Sequence, residues 1–155
     1  MKRFVWRLQK VLDIRTREEE TKRAELLEVT ERLAETRGEL LTRQRIMKDI
    51  ILSIAGKEPQ KRLGDQEFFF KHSVTSDEQI KKLKRKVSEL ESQQRKKMAE
   101  VLEVKRFKEG LERLRAEAKR QFMEAQEKLE QKELDEVARI SFARKRERNL
   151  QTQQL

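Results

Sequence analysis

Apolar residues recur every seven positions through the first third of the chain: Val5, Leu12, Leu26, Leu33, Leu40, Met47 and Ile54, interrupted only by Glu19. A seven-residue repeat held that long keeps one narrow stripe dry and requires a second helix against it, wound with a left-handed supercoil. The companion positions are weaker: Leu8, Arg15, Lys22, Val29, Thr36, Arg43 and Ile50. A first helix is therefore expected over about residues 3–55. It should be loosely packed between residues 13 and 25, where apolar groups are scarce and Glu19 sits on the seam.

The second half repeats the pattern. Steps of three or four run through Ile80, Leu83, Val87, Leu90, Gln94, Met98, Val101, Val104, Phe107, Leu111, Leu114, Ala118, Phe122, Ala125 and Leu129, all apolar but Gln94. Gly38 and Gly110 fall inside the two helices, each costing about 1 kcal/mol against Ala, and are candidate bends. Gly56, Pro59 and Gly64 form the one cluster of helix breakers. Thr75-x-x-Glu78 and Ser76-x-x-Gln79 are overlapping capping boxes for the start of a second helix. The spacing thus predicts a tip at 56–75, plugged by a short turn at Phe68-Phe69-Phe70, a second helix over about 76–148 and a tail at 149–155. One break between two heptad runs makes the chain double back. The expected fold is all-α: residues 1–155 as a single domain, two long helices in an antiparallel coiled-coil hairpin.

Composition agrees with that architecture. A chain that is 44% charged and 35% hydrophobic cannot bury a broad core, whereas a helix-to-helix seam needs only two dry positions in seven. Cysteine is absent, which excludes a disulfide framework and thiolate metal sites. No run of about 18 apolar residues exists to span a bilayer. The opening residues are basic and amphipathic, but their apolar runs are too short for a secretory signal and their period continues into the helix. The net charge of +10 is local rather than uniform. Six bases stand against Asp13 in residues 2–17, eight against Glu89 and Glu91 in residues 81–97, and five against Glu147 in residues 139–148.

The second helix is longer than the first, roughly 110 Å against roughly 78 Å. With the chain folded at the tip, facing residues sum to about 130, which sets Val5 against Ala125 and Leu12 against Ala118. Beyond about residue 129 the second helix then has no partner in its own chain, yet Leu134, Val137, Ala138 and Phe142 keep to one broad face with Ile140 at its edge. An uncovered apolar stripe of that size marks a binding surface. Arg139, Arg144, Lys145, Arg146 and Arg148 surround it, and Arg3, Phe4, Trp6 and Arg7 lie nearby. A C-terminal helical overhang, apolar, aromatic and cationic together, is the expected partner site; a frayed tail or a dimer contact is the plainer alternative.

Catalytic chemistry is missing. His72 is the single histidine, so a multi-histidine metal site is impossible, and a lone loop histidine is ordinarily solvated. No G-x-x-x-x-G-K-[ST] phosphate loop exists. Glu18, Glu19 and Glu20, like Glu124, Glu127 and Glu130, are expected on exposed faces with no cleft to hold a substrate. No catalytic residue, cofactor or metal is expected, and the chain is not expected to be an enzyme.

The opening Met1-Lys2-Arg3-Phe4-Val5-Trp6-Arg7-Leu8-Gln9-Lys10-Val11-Leu12-Asp13-Ile14-Arg15 is similar to that of the flagellar FliJ family of type III export proteins. The run Glu130-Gln131-Lys132-Glu133-Leu134-Asp135-Glu136-Val137-Ala138, followed by Phe142-Ala143-Arg144, resembles that family's C-terminal signature. The resemblance covers essentially the whole chain, although residues 56–78 carry no matching motif. It implies a cytoplasmic stalk of the export apparatus at the cytoplasmic face of the inner membrane. By the same resemblance the end bearing the termini enters the pore of the hexameric export ATPase FliI. The other end reaches toward the export gate protein FlhA, and export chaperones are further partners. On this chain the ATPase-binding candidates are Phe4, Trp6, Arg7, Leu134, Asp135, Val137, Phe142, Arg144 and Arg146, and the gate-binding candidates on the tip side are Leu41, Arg45, Phe68, Phe69 and Leu83.

Three other readings stay open on sequence grounds. The equivalent stalk of a virulence-type injectisome shares fold and mechanism. A generic structural coiled coil that self-associates is a second, and a nucleic-acid-binding basic coiled coil, the third, would use Lys81-Lys82-x-Lys84-Arg85-Lys86. That stretch lacks interleaved aromatics and base-reading polar residues, so a solvated face is expected there and no nucleic acid is expected as a partner.

Overall fold

The computed structural model describes residues 2–154, apart from the side chain of Lys61. Among these there is no strand. Two long helices pack against each other: α1 is Gln9–Ala55, 47 residues, and α2 is Pro59–Gln153, 95 residues. By their internal contacts the residues fall into two compact units, Arg15–Arg106 and Met1–Ile14 with Phe107–Leu155.

In the unit Arg15–Arg106, α1 buries Glu19, Val29, Leu33 and Thr36, with Leu26, Leu40, Met47, Ile50 and Ile54 half-buried. These residues belong to the two heptad positions read from the sequence, and Leu33 is the most enclosed at 2% exposed. Glu19 is buried at its seam position rather than lying on the exposed face also expected for it, with its carboxylate 2.6 Å from the Arg23 guanidinium, so the charge is satisfied where it enters the seam. Thr36 satisfies its hydroxyl within the helix, donating to the Arg32 carbonyl at 2.8 Å. On α2, Leu90 and Val104 are buried and Leu83, Val87, Gln94, Lys97 and Val101 half-buried. Polar bridges join the helices. Lys22 lies 3.2 Å from Glu100 and Lys97 lies 2.9 Å from Glu25. Arg37 lies 2.8 Å from Glu91, Gln94 donates to the Thr30 hydroxyl at 3.2 Å, and Arg43 donates to Gln79.

The turn between the helices is far shorter than the 56–75 tip expected. α2 begins at Pro59, because a proline is at home in a helix's first turn, where its missing N–H would have had no partner. One glycine at 64 costs too little to end the helix, and the capping boxes at Thr75 and Ser76 are overrun by it. Arg62, in the first turn of α2, donates to the carbonyls of Ala55 and Lys57, supplying donors to acceptors left open at the end of α1. Lys57 pairs with Asp65 across the same turn.

In the other unit, α1 begins at Gln9 rather than near residue 3, and residues 2–6 have no regular structure. The opening offers no Ser, Thr, Asp or Asn to cap an earlier start. Instead Phe4 meets the Phe122 ring, centroids 5.5 Å apart, with the Arg115 guanidinium 5.9 Å above the Phe4 ring. Arg115 also donates to the Gln9 side-chain oxygen at 2.9 Å. Leu12 and Leu111 are buried, and Val5, expected on the seam, is exposed.

The seam face of α2 differs from the expected one in a consistent way. Met98, Phe107 and Leu114 are about half exposed (50%, 49% and 58%), while Lys97, Lys108 and Arg115 hold covered positions. Strict alternation of four and three steps from Leu83 leads to these three bases. Their charged heads reach partners, Lys97 to Glu25, Lys108 to Glu112 and Arg115 to the Gln9 side chain, and long bases of this kind can cover apolar surface with their aliphatic stems. α2 also continues through the expected tail, to Gln153.

Candidate partner-binding surfaces

Covering of α2 stops at Gln126. Every residue from 127 to 154 is exposed, although the helix continues to Gln153. Within this stretch Leu134 and Phe142 are each 69% exposed, and Val137, Ile140 and Leu150 are exposed as well. Val137 and Arg144 line a shallow groove with Ile140, Ser141, Lys145 and Arg148. Phe142 and Arg146 line a second with Lys145, Asn149, Leu150 and Gln153. Asp135 is exposed on the same turns.

The ATPase-binding candidates therefore separate into two groups. Phe4 and Trp6 are half-buried, Phe4 against Phe122 and Trp6 with its carbonyl accepting the Gln9 N–H at 3.2 Å; Arg7 beside them is exposed. Leu134, Asp135, Val137, Phe142, Arg144 and Arg146 lie on the wholly exposed turns. The acidic residues just before those turns are engaged with bases. Arg120 pairs with Glu117 at 2.6 Å and with Glu124 at 2.9 Å, and its hydrogen bond holds the Glu117 carboxyl below the ordinary carboxylate range.

The tip-side candidates also divide. Phe68 and Phe69 line an apolar hollow of about 90 Å³ with Ile46, Met47 and Ile50 of α1 and with His72. Ile46, Met47 and Ile50 were not among the tip-side candidates, and His72 lies outside the loop expected for it. His72 is on α2, its ring 4.2 Å from that of Phe68. The available signal was the helical spacing of Phe68 and Phe69 with His72 and Ser73, which continues the period of α2 backward through the supposed tip. Leu41 and Arg45 are exposed, whereas Leu83 is half-buried at a seam position. Lys81, Lys82, Lys84, Arg85 and Lys86 are all exposed, and among the described residues none of them forms an ion pair.

Fold and surfaces together define a two-helix protein with exposed apolar and cationic turns; among the described residues no helix is long and apolar enough to cross a membrane. Residues 3–147 match the family described as FliJ, flagellar FliJ protein. The chain belongs to the flagellar FliJ family, which implies a non-catalytic, cytoplasmic stalk protein of the flagellar export apparatus. Comparison with curated proteins finds no match, and comparison with solved structures finds none.

Proposed function

We propose that this chain binds the hexameric export ATPase through the uncovered turns of α2 and couples it to the export gate through the surface beside the α1–α2 turn. The observation that carries the proposal is the helix from 127 to 153, in which every residue is exposed. In this reading residues 1–155 form one domain and the helices run antiparallel, leaving a C-terminal overhang. The bridging pairs support the direction: in the unit Arg15–Arg106, Lys22, Glu25 and Arg37 reach Glu100, Lys97 and Glu91, rising on α1 while falling toward Glu91 on α2. In the other unit Phe4 meets Phe122 and Gln9 meets Arg115. Bridged pairs sum to between 122, for Lys22 with Glu100, and 128, for Arg37 with Glu91. That is short of the 130 expected, in the direction a shorter turn shifts the register.

The mechanism is mechanical and allosteric. A cationic, apolar helix end inside a ring of subunits favours whichever ring arrangement it contacts best, and a ligand shifts an equilibrium only by such differential contact. Ring assembly and turnover respond to that bias. The hollow of Phe68, Phe69, Ile46, Met47 and Ile50 supplies the apolar contact for the gate, which brings the protein to the cytoplasmic face of the inner membrane and ties it to motility. Export chaperones are further partners. The ATPase rate of the cognate hexamer should rise with the full chain and not with a chain ending at Gln126. Equal stimulation by both removes the assignment of residues 127–153.

A further inference from the structure

The exposed turns carry a second pattern, one of charge, on a face that includes Leu134 and Val137 of the proposed ATPase site. At 100° per residue, Glu127, Glu130, Leu134 and Val137 share one face of α2 with Ala138, Ser141, Lys145 and Arg148. Acids stand at one end of that face, bases at the other, and small or apolar residues between them. The neighbouring faces repeat the division: residues 127–136 hold five acids against Lys128 and Lys132, and residues 139–148 hold five bases against Glu147. All of these residues are exposed.

We propose that this face binds a second copy of the same chain, antiparallel, through residues 127–148. A face with acid at one end and base at the other complements itself only when reversed. With facing positions summing to 275, Glu127 stands opposite Arg148 and Glu130 opposite Lys145. Leu134 then faces Ser141, and Val137 faces Ala138 beside the two-fold axis. Small residues at Ala138 and Ser141 let the backbones approach, and Val137 and Leu134, 63% and 69% exposed in the single chain, become covered. A parallel, in-register copy would instead set Glu127 against Glu127 and Arg148 against Arg148. The contact is isologous: each copy supplies the same patch, and the pair closes on itself without forming a filament. The segment is about 32 Å long, six turns of helix. Its ion pairs remain near water, so the dimer is reversible and weakens with salt. It rests on the uncovered end invoked above but not on the ATPase. The same turns cannot serve both at once, so the dimer competes with ring binding.

The test uses the full chain alone in sedimentation equilibrium across concentration and salt, with helicity checked by circular dichroism. The wild-type chain should form a dimer that loosens as salt rises. Glu127→Lys with Glu130→Lys should weaken it at least about tenfold, since each attraction becomes a repulsion, and Lys145→Glu with Arg148→Glu should do the same. Mixing the two variants in equal amounts should restore a dimer, because each then carries what the other needs. As the chain has no cysteine, Ala138→Cys should give a covalent dimer on mild oxidation, and Gln153→Cys should not. A monomer throughout, variants that dimerise like the wild type, or a mixture that stays monomeric each overturn the proposal. None of these readouts involves the ATPase, so failure of the dimer and failure of ATPase stimulation are separate results.

Discussion

Leu33 is the point at which the seam between the helices is most fully closed, at 2% exposed, and replacing it by alanine tests that seam directly. The substitution removes three carbon atoms from a nearly dry position, about 2.4 kcal/mol at roughly 0.8 kcal/mol per buried methylene. The hole left behind adds a further term, kept small because a seam between two helices can collapse from its solvent sides. The total is about 3 kcal/mol, in the lower part of the range for leucine-to-alanine changes in protein interiors. Leu27 on the same helix is 59% exposed, so Leu27→Ala should cost under about 0.5 kcal/mol. Both variants share the same gain in intrinsic helix propensity, so their difference isolates packing. Urea unfolding followed by circular dichroism at 222 nm should show a lower midpoint for Leu33→Ala with an unchanged slope, and almost no shift for Leu27→Ala. Equal midpoints for the two would mean that the seam is not where the burial places it.

Stability should fall as pH drops below the ordinary carboxylate value of 4.5. Hydrogen bonds from Lys97 and Lys22 hold Glu25 and Glu100 below it, so their contribution is complete above 4.5 and is lost as pH falls through the depressed values. The Lys22 and Lys97 ammonium groups are raised above 10.5 by Glu100 and Glu25, so theirs is complete below 10.5 and is lost as pH rises through the raised values. Urea midpoints across pH should show Glu25→Gln with Glu100→Gln flattening the acid limb. Glu19→Leu should leave stability unchanged or raise it by about 1 kcal/mol, because an apolar side chain at a seam position avoids taking a carboxylate out of water; thermal unfolding checks it. Gly64→Ala and Gly110→Ala should each stabilise by about 0.5–1 kcal/mol, since both lie inside α2 and an added Cβ meets nothing within 4 Å; urea midpoints that fail to rise would refute this.

The α1 seam was legible because apolar residues mark it at nearly every turn, and burial follows the heptad from Leu12 to Ile54. On α2 the face is not legible wherever the seam uses Lys97, Lys108 and Arg115, whose stems are apolar but whose charged ends mark them as surface residues. Local signals misled at the turn. Gly64 and the caps at Thr75 and Ser76 are weak penalties or weak preferences, and propagation of a helix already begun at Pro59 outweighs them, with Phe69 and Ser73 half-buried beside the hollow lined by α1 residues. Residues 127–154 are all exposed, although apolar groups recur among them. The separation of Phe4 and Trp6 from the signature residues was not legible, because it depends on an irregular opening segment that follows no period.

That residues 127–153 are helical although all of them are exposed follows from the balance of local and shared stabilisation. Starting a helix is the costly step, and residues 127–153 do not start one: they extend α2 from covered turns ending at Gln126. Their composition, rich in Glu, Lys, Arg, Gln and Leu, favours extension at every step. A surface formed in advance gives up less conformational freedom on association than a segment that must order as it binds. In the proposed reading a partner would meet Leu134, Val137 and Phe142 already at fixed spacing, and the free energy of contact would go into selecting the partner's state rather than into building the helix.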